Sequence, residues 1–233
     1  PRLEIPDGTE LEEAVSIHGG GVESYDFHAL EVLQSIVEAR KGGETGVEQV
    51  QFLDTDALFK AAEDGRWSVE LAESAMQAEL GKKPIDLKSF PSKPHGILLT
   101  YKDGFKATAV SIGGANRWNF ACRLKGQSQI RSTTFNVGPW QNRCLFKALA
   151  HAIQHHFIHG RAPYPVERTL LVTGILDASM HSRHDGGKLM QTPELEFSYQ
   201  PRDFRAMREM GSSWKIITEK TPQPAGIDRL TKN

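Results

Sequence analysis

The chain has 233 residues, 39% of them hydrophobic and 24% charged, so it can bury a core as one large domain or two small ones. A net charge of -1 gives no chain-wide attraction to nucleic acid or to an anionic membrane. No apolar run approaches the ~20 residues of a membrane helix. The first residues lack the pattern of a secretory signal, and two cysteines form no disulfide framework, so we expect a cytoplasmic protein.

The first third of the chain alternates between strand and helix patterns. Short strands are predicted over residues 12–18 and 47–53. Helices are predicted over residues 24–40, 54–63 and 68–80, because apolar residues recur there at helical spacing. Serine, aspartate and glycine residues stand at the positions where such helices begin and end.

The middle of the chain has a β-strand pattern. Asp103-Gly104 separates two strand-like runs within residues 96–112, which predicts a hairpin because such a turn needs a positive φ. Apolar and polar residues alternate again over residues 117–126, and another strand is predicted over 128–137. We expect these four strands to form a meander in which each strand pairs with the next.

Two longer helices follow the strands. One is predicted over residues 140–160, with an apolar stripe, and Pro165 opens the other, since proline is tolerated in a first turn. These elements favour an α+β fold, in which an open-faced, mostly antiparallel sheet has helices packed on one face. We expect one domain over residues 1–195 and a partly irregular C-terminal extension over residues 196–233.

A histidine and three glycines, His18 to Gly21, stand between the first strand and the first helix. Such glycines form oxyanion holes in esterases, but that chemistry needs a G-x-S-x-G serine, and the nearest run has Ala109 at the first glycine. The run also lacks the third glycine of a dinucleotide-binding loop, and no phosphate-binding P-loop is present. The glycines either let the backbone approach a ligand or a neighbouring domain, or form an ordinary tight turn.

Histidines recur on the helix predicted over residues 140–160. His151, His155 and His159 are four residues apart, a spacing at which two imidazoles can chelate zinc. Ala152 occupies the position of the metalloprotease glutamate, and no carboxylate ligand is evident, so we interpret the stripe as a solvated or interface surface and predict no metal site. A metal site on the three histidines is the weaker alternative. His156 falls on the apolar face and is expected in the core.

Basic residues lie on the predicted strands. They are Arg117, Arg123, Lys125 and Arg131. A solvated sheet face, an anionic ligand or a partner subunit would each explain them, and the pattern does not decide between these.

His28 is the candidate general acid–base. It lies in the first turn of the first helix, and Glu31, three residues on, shares its face. A histidine in such a place exchanges protons near neutral pH. The alternative interpretation is a capped helix with no catalytic role.

The run GGGVESYDFHALE resembles the start of the C-terminal domain in the glucose–fructose oxidoreductase, inositol dehydrogenase and MocA-like family. Members carry G-G-G and then D-x-G-x-H-x-x-D. Aligned on the histidine, His28 takes the catalytic position and Glu31 the following acid, whereas Ser24 replaces aspartate and Asp26 replaces glycine. HGILLTYKDGFKATAVSIGG resembles the family's hairpin and PYPVERTLLVTGILDASMHSRHDGGKLMQTPEL its last helix, so roughly residues 10–195 are covered.

The resemblance implies hydride transfer between NAD or NADP and a carbinol carbon of a sugar or polyol. His28 would take or return the hydroxyl proton, and Asp26 or Glu31 would orient the His28 imidazole. Ser24 and Tyr25 would contact the substrate, although Ser24 is also a candidate for orienting the histidine.

The resemblance also implies parts outside these residues. A Rossmann domain with a glycine-rich loop and a catalytic lysine is expected before Pro1, and it would bind most of the cofactor. Gly19, Gly20 and Gly21 would contact the cofactor from this side. Assembly into a homo-oligomer through the sheet is expected.

A module without catalysis is the alternative function. An open-faced sheet would then bind a partner or dimerise. The departures from the family pattern at Ser24 and Asp26 favour this interpretation. No nucleic-acid or membrane partner is expected on either interpretation.

Overall fold

A computed structural model of the chain describes residues 3–81, 86–89, 93–135 and 143–203, together with Lys220 and Pro222. The chain divides into two compact units. The first comprises Pro1–Phe135 and Tyr164–Arg202, and the second comprises Asn136–Pro163 and Asp203–Asn233.

One seven-stranded sheet runs through the described part of the first unit. The strands are β1 (Leu11–His18), β2 (Val47–Asp54), β3 (His95–Tyr101), β4 (Lys106–Ser111), β5 (Trp118–Leu124), β6 (Ile130–Phe135) and β7 (Met190–Gln191). Their order across the sheet is β6-β5-β1-β4-β3-β2-β7. Neighbours are antiparallel except for β1 and β4, which run parallel.

All the predicted helices are present. They are α1 (Ser24–Val37), α2 (Thr55–Glu63), α3 (Val69–Leu80), α4 (Arg143–His159) and α5 (Val166–His184), with 3-10 turns at Leu87–Ser89 and Pro193–Leu195. The sequence explains several ends. Ser68 Oγ accepts a hydrogen bond from the Leu71 N–H (3.2 Å) before α3, and Gly81, with φ 98°, follows it. Pro165 stands immediately before α5.

The predicted meander is wrong at one pairing. β3 with β4 and β5 with β6 form the two expected hairpins, but β1 lies between β4 and β5. Ala14 of β1 pairs with Ala107 of β4 on one side and with Cys122 of β5 on the other. Residues 14–18 are all buried, so β1 is protected from water on both faces, which suits a central strand. β4 and β5, which follow one another in the sequence, are therefore not neighbours in the sheet.

Helices cover the sheet on both faces. Leu30 of α1 and Leu171 of α5 belong to a core with Phe120 on one face. Leu58 of α2 and Leu71 of α3 belong to a second core on the other face. The predicted α+β class with a mostly antiparallel, open sheet is confirmed, but the prediction that helices pack on only one face is wrong. The physical reason is that the central strands are apolar on both sides and need cover on both.

A buried polar network lies at the C-terminal end of α1. We call it the arginine network; its members are Gln34, Glu38, Arg40, Glu44, Tyr101, Arg168 and Tyr199. Arg168 donates to both carboxylate oxygens of Glu38. The Tyr199 hydroxyl donates to the same carboxylate over 2.8 Å. The chain after α5 is thereby tied to α1.

The rest of the arginine network continues from Gln34. Its amide nitrogen donates to Glu44 and to Tyr199, and its amide oxygen accepts from the Tyr101 hydroxyl over 2.8 Å. Arg40 donates to Glu44 over 3.2 Å. Arg40 also pairs with Asp103, in the turn of the β3–β4 hairpin, over 2.8 Å. Because these groups are hydrogen-bonded to one another, their burial is tolerated.

The second unit contains α4. Large apolar side chains are exposed on this helix: Leu145, Phe146, Leu149, Ile153, Phe157 and Ile158. His156, expected in the core, is exposed as well, so that expectation is wrong. None of the helices in the described ranges combines the length and the apolar character required to cross a membrane.

Candidate active site

The three glycines after β1 differ in what surrounds them. A Cβ on Gly19 would lie 1.9 Å from the carbonyl oxygen of Ala115, and one on Gly20 would lie 2.0 Å from the Tyr25 ring. A Cβ on Gly21 would meet nothing within 4 Å. Gly19 and Gly20 therefore allow close packing of the chain against itself, and only Gly21 leaves open space.

A strained turn connects the glycines to α1. Glu23 has φ 69° and ψ -70°, and the Ser24 N–H donates to the Val22 carbonyl over 2.9 Å, which makes a γ-turn of the rare kind. The Glu23 N–H donates to Asp26 Oδ2 over 2.7 Å. Asp26 thus holds in place a backbone conformation that is costly by itself.

Asp26 also joins two histidines that are far apart in the sequence. The Nε2 atoms of His18 and His95 lie 2.9 Å and 2.7 Å from the same oxygen, Asp26 Oδ1. His18 ends β1, His95 begins β3, and both pair with Ser111 of the intervening strand β4. All three side chains are buried. We call His18, Asp26 and His95 the histidine cluster.

Hydrogen bonds set the charge of this cluster. Burial raises the pKa of Asp26, but the hydrogen bonds from His18, His95 and the Glu23 N–H outweigh it and hold that pKa well below its usual range. His18 Nδ1 accepts the Gly20 N–H over 3.3 Å, which leaves the ring proton of His18 on Nε2, toward Asp26. The cluster therefore contains an ionised carboxylate.

An aromatic surface covers the histidine cluster. It consists of Tyr25, His28 and Trp118. The Tyr25 and Trp118 rings are nearly parallel, with centroids 5.6 Å apart, and His28 stands edge-on to Trp118 at 5.5 Å and to Tyr25 at 6.3 Å. The buried His18 ring lies 6.0 Å from Trp118 and parallel to it. Tyr25 is 48% exposed and His28 is exposed, so the surface is accessible to a ligand.

The structure brings some of the predicted site residues together. Ser24, Tyr25 and His28 are all exposed on the first turns of α1. Asp26 lies on the same turn but is buried, and its described hydrogen bonds go to His18, His95 and Glu23 rather than to His28. The catalytic and substrate-binding roles of these residues stay predictions.

Glu31 lies one turn further along α1. Its Oε1 atom is buried and has no hydrogen-bond partner among the described residues. Burial raises the pKa of this carboxyl, although Arg168 acts against that rise. No hydrogen bond between Glu31 and His28 occurs among the described contacts.

Three other features bear on the search for a site. An open cavity of about 510 Å³ lies at the opposite end of β1, and its charged lining includes Glu10, Lys41 and Lys125. Burial raises the pKa of Cys122 to about 12, so this thiol is not an activated nucleophile. Arg123, one of the basic residues noted in the sequence, pairs with Glu70 of α3 over 2.7 Å.

The histidine cluster is the part of the site that sequence reasoning missed. In the sequence His18 stands out only as part of the glycine motif, and no local pattern marks His95. The two residues meet because β1 and β3 flank β4, which depends on a pairing that the predicted meander excludes. Two imidazoles and a carboxylate also make a donor set that metal ions accept, and the three ligand atoms lie within 4.8 Å of one another.

Comparison with solved structures finds 13 matching chains, among them an oxidoreductase. No protein-family model and no curated protein matches the chain. An aldose-aldose oxidoreductase from Caulobacter crescentus, solved in complex with glycerol, aligns with 13% identity and a TM-score of 0.38. The alignment covers 78% of this chain and 55% of that one, so the chain spans about half the length of its neighbour. The neighbour is an oxidoreductase, but the likeness is too distant to assign a function.

Proposed function

We propose that this chain binds a sugar or polyol on the aromatic surface, as the substrate-binding part of an NAD(P)-dependent oxidoreductase. The observation that carries the proposal is the position of His28, an exposed histidine standing edge-on to a parallel pair of aromatic rings. The resemblance of the chain around His28 to the oxidoreductase family supports the same role.

The aromatic surface suits a polyhydroxylated ligand. The C–H groups of a sugar ring form an apolar face that packs on aromatic rings, while its hydroxyl groups need hydrogen-bonding partners at the edge. Tyr25 and Trp118 offer the rings. The exposed hydroxyl of Ser24 and the exposed imidazole of His28 offer polar groups beside them.

His28 would exchange a proton with the reacting hydroxyl. No hydrogen bond to the His28 ring is found among the described residues, so its nitrogens are open to a ligand. An imidazole accepts the hydroxyl proton on oxidation and returns it on reduction, which is ordinary general acid–base catalysis. The buried Asp26 would position His28 indirectly, because it accepts the Glu23 N–H and so fixes the first turn of α1.

The described residues do not by themselves fit a nicotinamide cofactor. The space beside Gly19 and Gly20 is filled by Ala115 and Tyr25, and only Gly21 faces open space. The proposal therefore assigns the cofactor to a separate Rossmann domain. The part assigned to this chain is binding the substrate and moving the hydroxyl proton.

Turnover tests the role of His28. With the Rossmann domain that the proposal requires, His28→Ala should lower kcat about a hundredfold or more, because general acid–base catalysis contributes that much. His181→Ala is the matched control, since His181 is an exposed histidine on α5. Unchanged kcat in His28→Ala would refute the assignment.

Binding tests the aromatic surface independently of catalysis. Saturation-transfer NMR with myo-inositol and glucose should show contact in the wild-type chain. Trp118→Ala and Tyr25→Ala should each abolish it, whereas Tyr25→Phe should retain it because the ring is kept. Contact that persists in both alanine variants would place the substrate elsewhere.

A non-catalytic association module is the second candidate function. The observation that favours it is the exposed apolar face of α4, where Phe146 is 59% and Phe157 81% exposed. On this proposal the chain self-associates, and Phe157→Ser should shift its sedimentation toward the monomer while His28→Ala should not. A wild-type chain that sediments as a monomer would exclude this candidate.

A further inference from the structure

We propose that His18, Asp26 and His95 bind a divalent transition-metal ion beneath the aromatic surface. The proposal is independent of the oxidoreductase function, because metal binding is measured without substrate or cofactor. A buried carboxylate needs compensating hydrogen bonds or positive charge.

The described hydrogen bonds to Asp26 come from two histidines and one backbone N–H, with no lysine or arginine among them. The two imidazoles converge on one carboxylate oxygen, Asp26 Oδ1, so a cation placed among the three groups would have three ligands within reach.

The distances are close to those of a metal site. Adjacent ligands of an octahedral ion with bonds of about 2.1 Å are about 3.0 Å apart, and those of a tetrahedral ion about 3.4 Å. The observed Nε2–Oδ1 distances are 2.9 Å and 2.7 Å, and all three ligand atoms lie within 4.8 Å of one another. The three ligand atoms are therefore close enough together for one ion to contact all of them.

The surroundings already hold the ligands in place. The His95 ring stacks on Phe52 at 5.0 Å, and the His18 ring lies parallel to Trp118. The second carboxylate oxygen of Asp26, Oδ2, accepts the Glu23 N–H. Such support around the ligating groups is a regular feature of metal sites.

Metal binding requires one change at His18. An ion on Nε2 moves the ring proton to Nδ1, where the Gly20 N–H now donates over 3.3 Å. That hydrogen bond is long, and the Gly20 peptide must turn away from the ring. The donor set of two imidazoles and one carboxylate suits Zn²⁺, Fe²⁺ or Co²⁺ rather than Ca²⁺ or Mg²⁺.

The test uses Co²⁺, whose visible absorption reports its ligands. Protein without a histidine tag carries His155→Ala throughout, since histidines four residues apart on α4 can bind metal themselves. One equivalent of Co²⁺ should bind. Adding His95→Ala should weaken binding at least tenfold, and adding His28→Ala should leave it unchanged.

A second measurement keeps the test valid should His95→Ala fail to fold. In the His155→Ala protein, Zn²⁺ should change the ring ¹⁵N shifts of His18 and His95 together, and those of His28 little. The proposal is overturned if Co²⁺ does not bind, if binding survives His95→Ala, or if the His95 ring keeps two protons with Zn²⁺ present. The last result would identify the cluster as an Asp26–His95 ion pair.

Discussion

The two buried polar groups at the ends of α1 differ in chemistry. At the last turn, the arginine network pairs carboxylates with guanidinium groups, which stay charged at every pH at which the protein folds. At the first turn, the histidine cluster pairs a carboxylate with imidazoles, the side chain whose ordinary titration lies nearest neutral pH. One end of the helix thus has a permanent set of charges, whereas the carboxylate at the other end is held by side chains of the kind that titrate and bind metals in proteins.

Their surroundings differ in the same direction. The arginine network joins the chain after α5 and the β3–β4 turn to α1, and its partners are satisfied within the fold. The histidine cluster lies below an exposed aromatic surface and holds the strained turn at Glu23. Strain of this kind gathers at functional sites. We therefore expect a structural role for the first group and propose a functional role for the second.

The largest expected effect is on the arginine network. Arg168→Ala leaves Glu38 buried without its cation and should lower the free energy of unfolding by about 3–5 kcal/mol, measured by urea denaturation. Arg123→Ala is the control, because its partner Glu70 is 71% exposed, and the loss there should stay below about 1 kcal/mol. Equal losses of unfolding free energy in the two variants would mean that the buried Arg168–Glu38 pair stabilises the fold no more than an exposed ion pair does.

A smaller effect is expected at the histidine cluster. Asp26→Asn should lower the free energy of unfolding by about 1.5–3 kcal/mol at neutral pH, because it loses charge-assisted hydrogen bonds. The pKa of Asp26 is lower in the folded protein than the ~3.9 of an unfolded aspartate. Its contribution is therefore present above that value and is lost as pH falls through the folded-state pKa.

The pH dependence of the free energy of unfolding shows whether the ionised carboxylate of Asp26 is the source of this stabilisation. The difference in the free energy of unfolding between wild type and Asp26→Asn should begin to narrow below about pH 4 and close only as the pH falls through the lower folded-state pKa of Asp26. A difference that does not narrow at all as the pH falls from neutral through this range would mean that the stabilisation does not come from the ionised carboxylate.

The smallest effect concerns the glycines that lead to the cluster. Gly19→Ala places a methyl group against the Ala115 carbonyl and should cost about 1–3 kcal/mol, read from the thermal unfolding midpoint. Gly21→Ala adds a methyl group in open space and should change stability little. If both substitutions were tolerated equally, the glycines would not be needed for close packing.

Most elements of the fold could be predicted from the sequence, because their patterns are local. Helical spacing marked α1, and the Asp103-Gly104 turn marked the β3–β4 hairpin. The position of β1 could not be read locally, since it depends on pairing with Ala107 and Cys122. The helices on the second face follow from the same burial of the central strands.

The candidate site was predictable only in its exposed part. His28 and Tyr25 stand close together in the sequence and lie on the same surface. His18, Asp26 and His95 meet through the order of three strands, and no spacing in the sequence reports that order. Local sequence patterns therefore predict the exposed aromatic surface but not the buried histidine cluster beneath it.

The central place of β1 has a consequence for how the protein folds. Its partners come much later in the chain, from Lys106 onward in β4 and from Asn119 onward in β5, so β1 can take its place only after a long loop closes. Until then the β3–β4 and β5–β6 hairpins each keep an unpaired edge, and such edges pair readily with other chains. Slow entry of β1 would therefore expose the protein to aggregation during synthesis, whatever the stability of the finished fold.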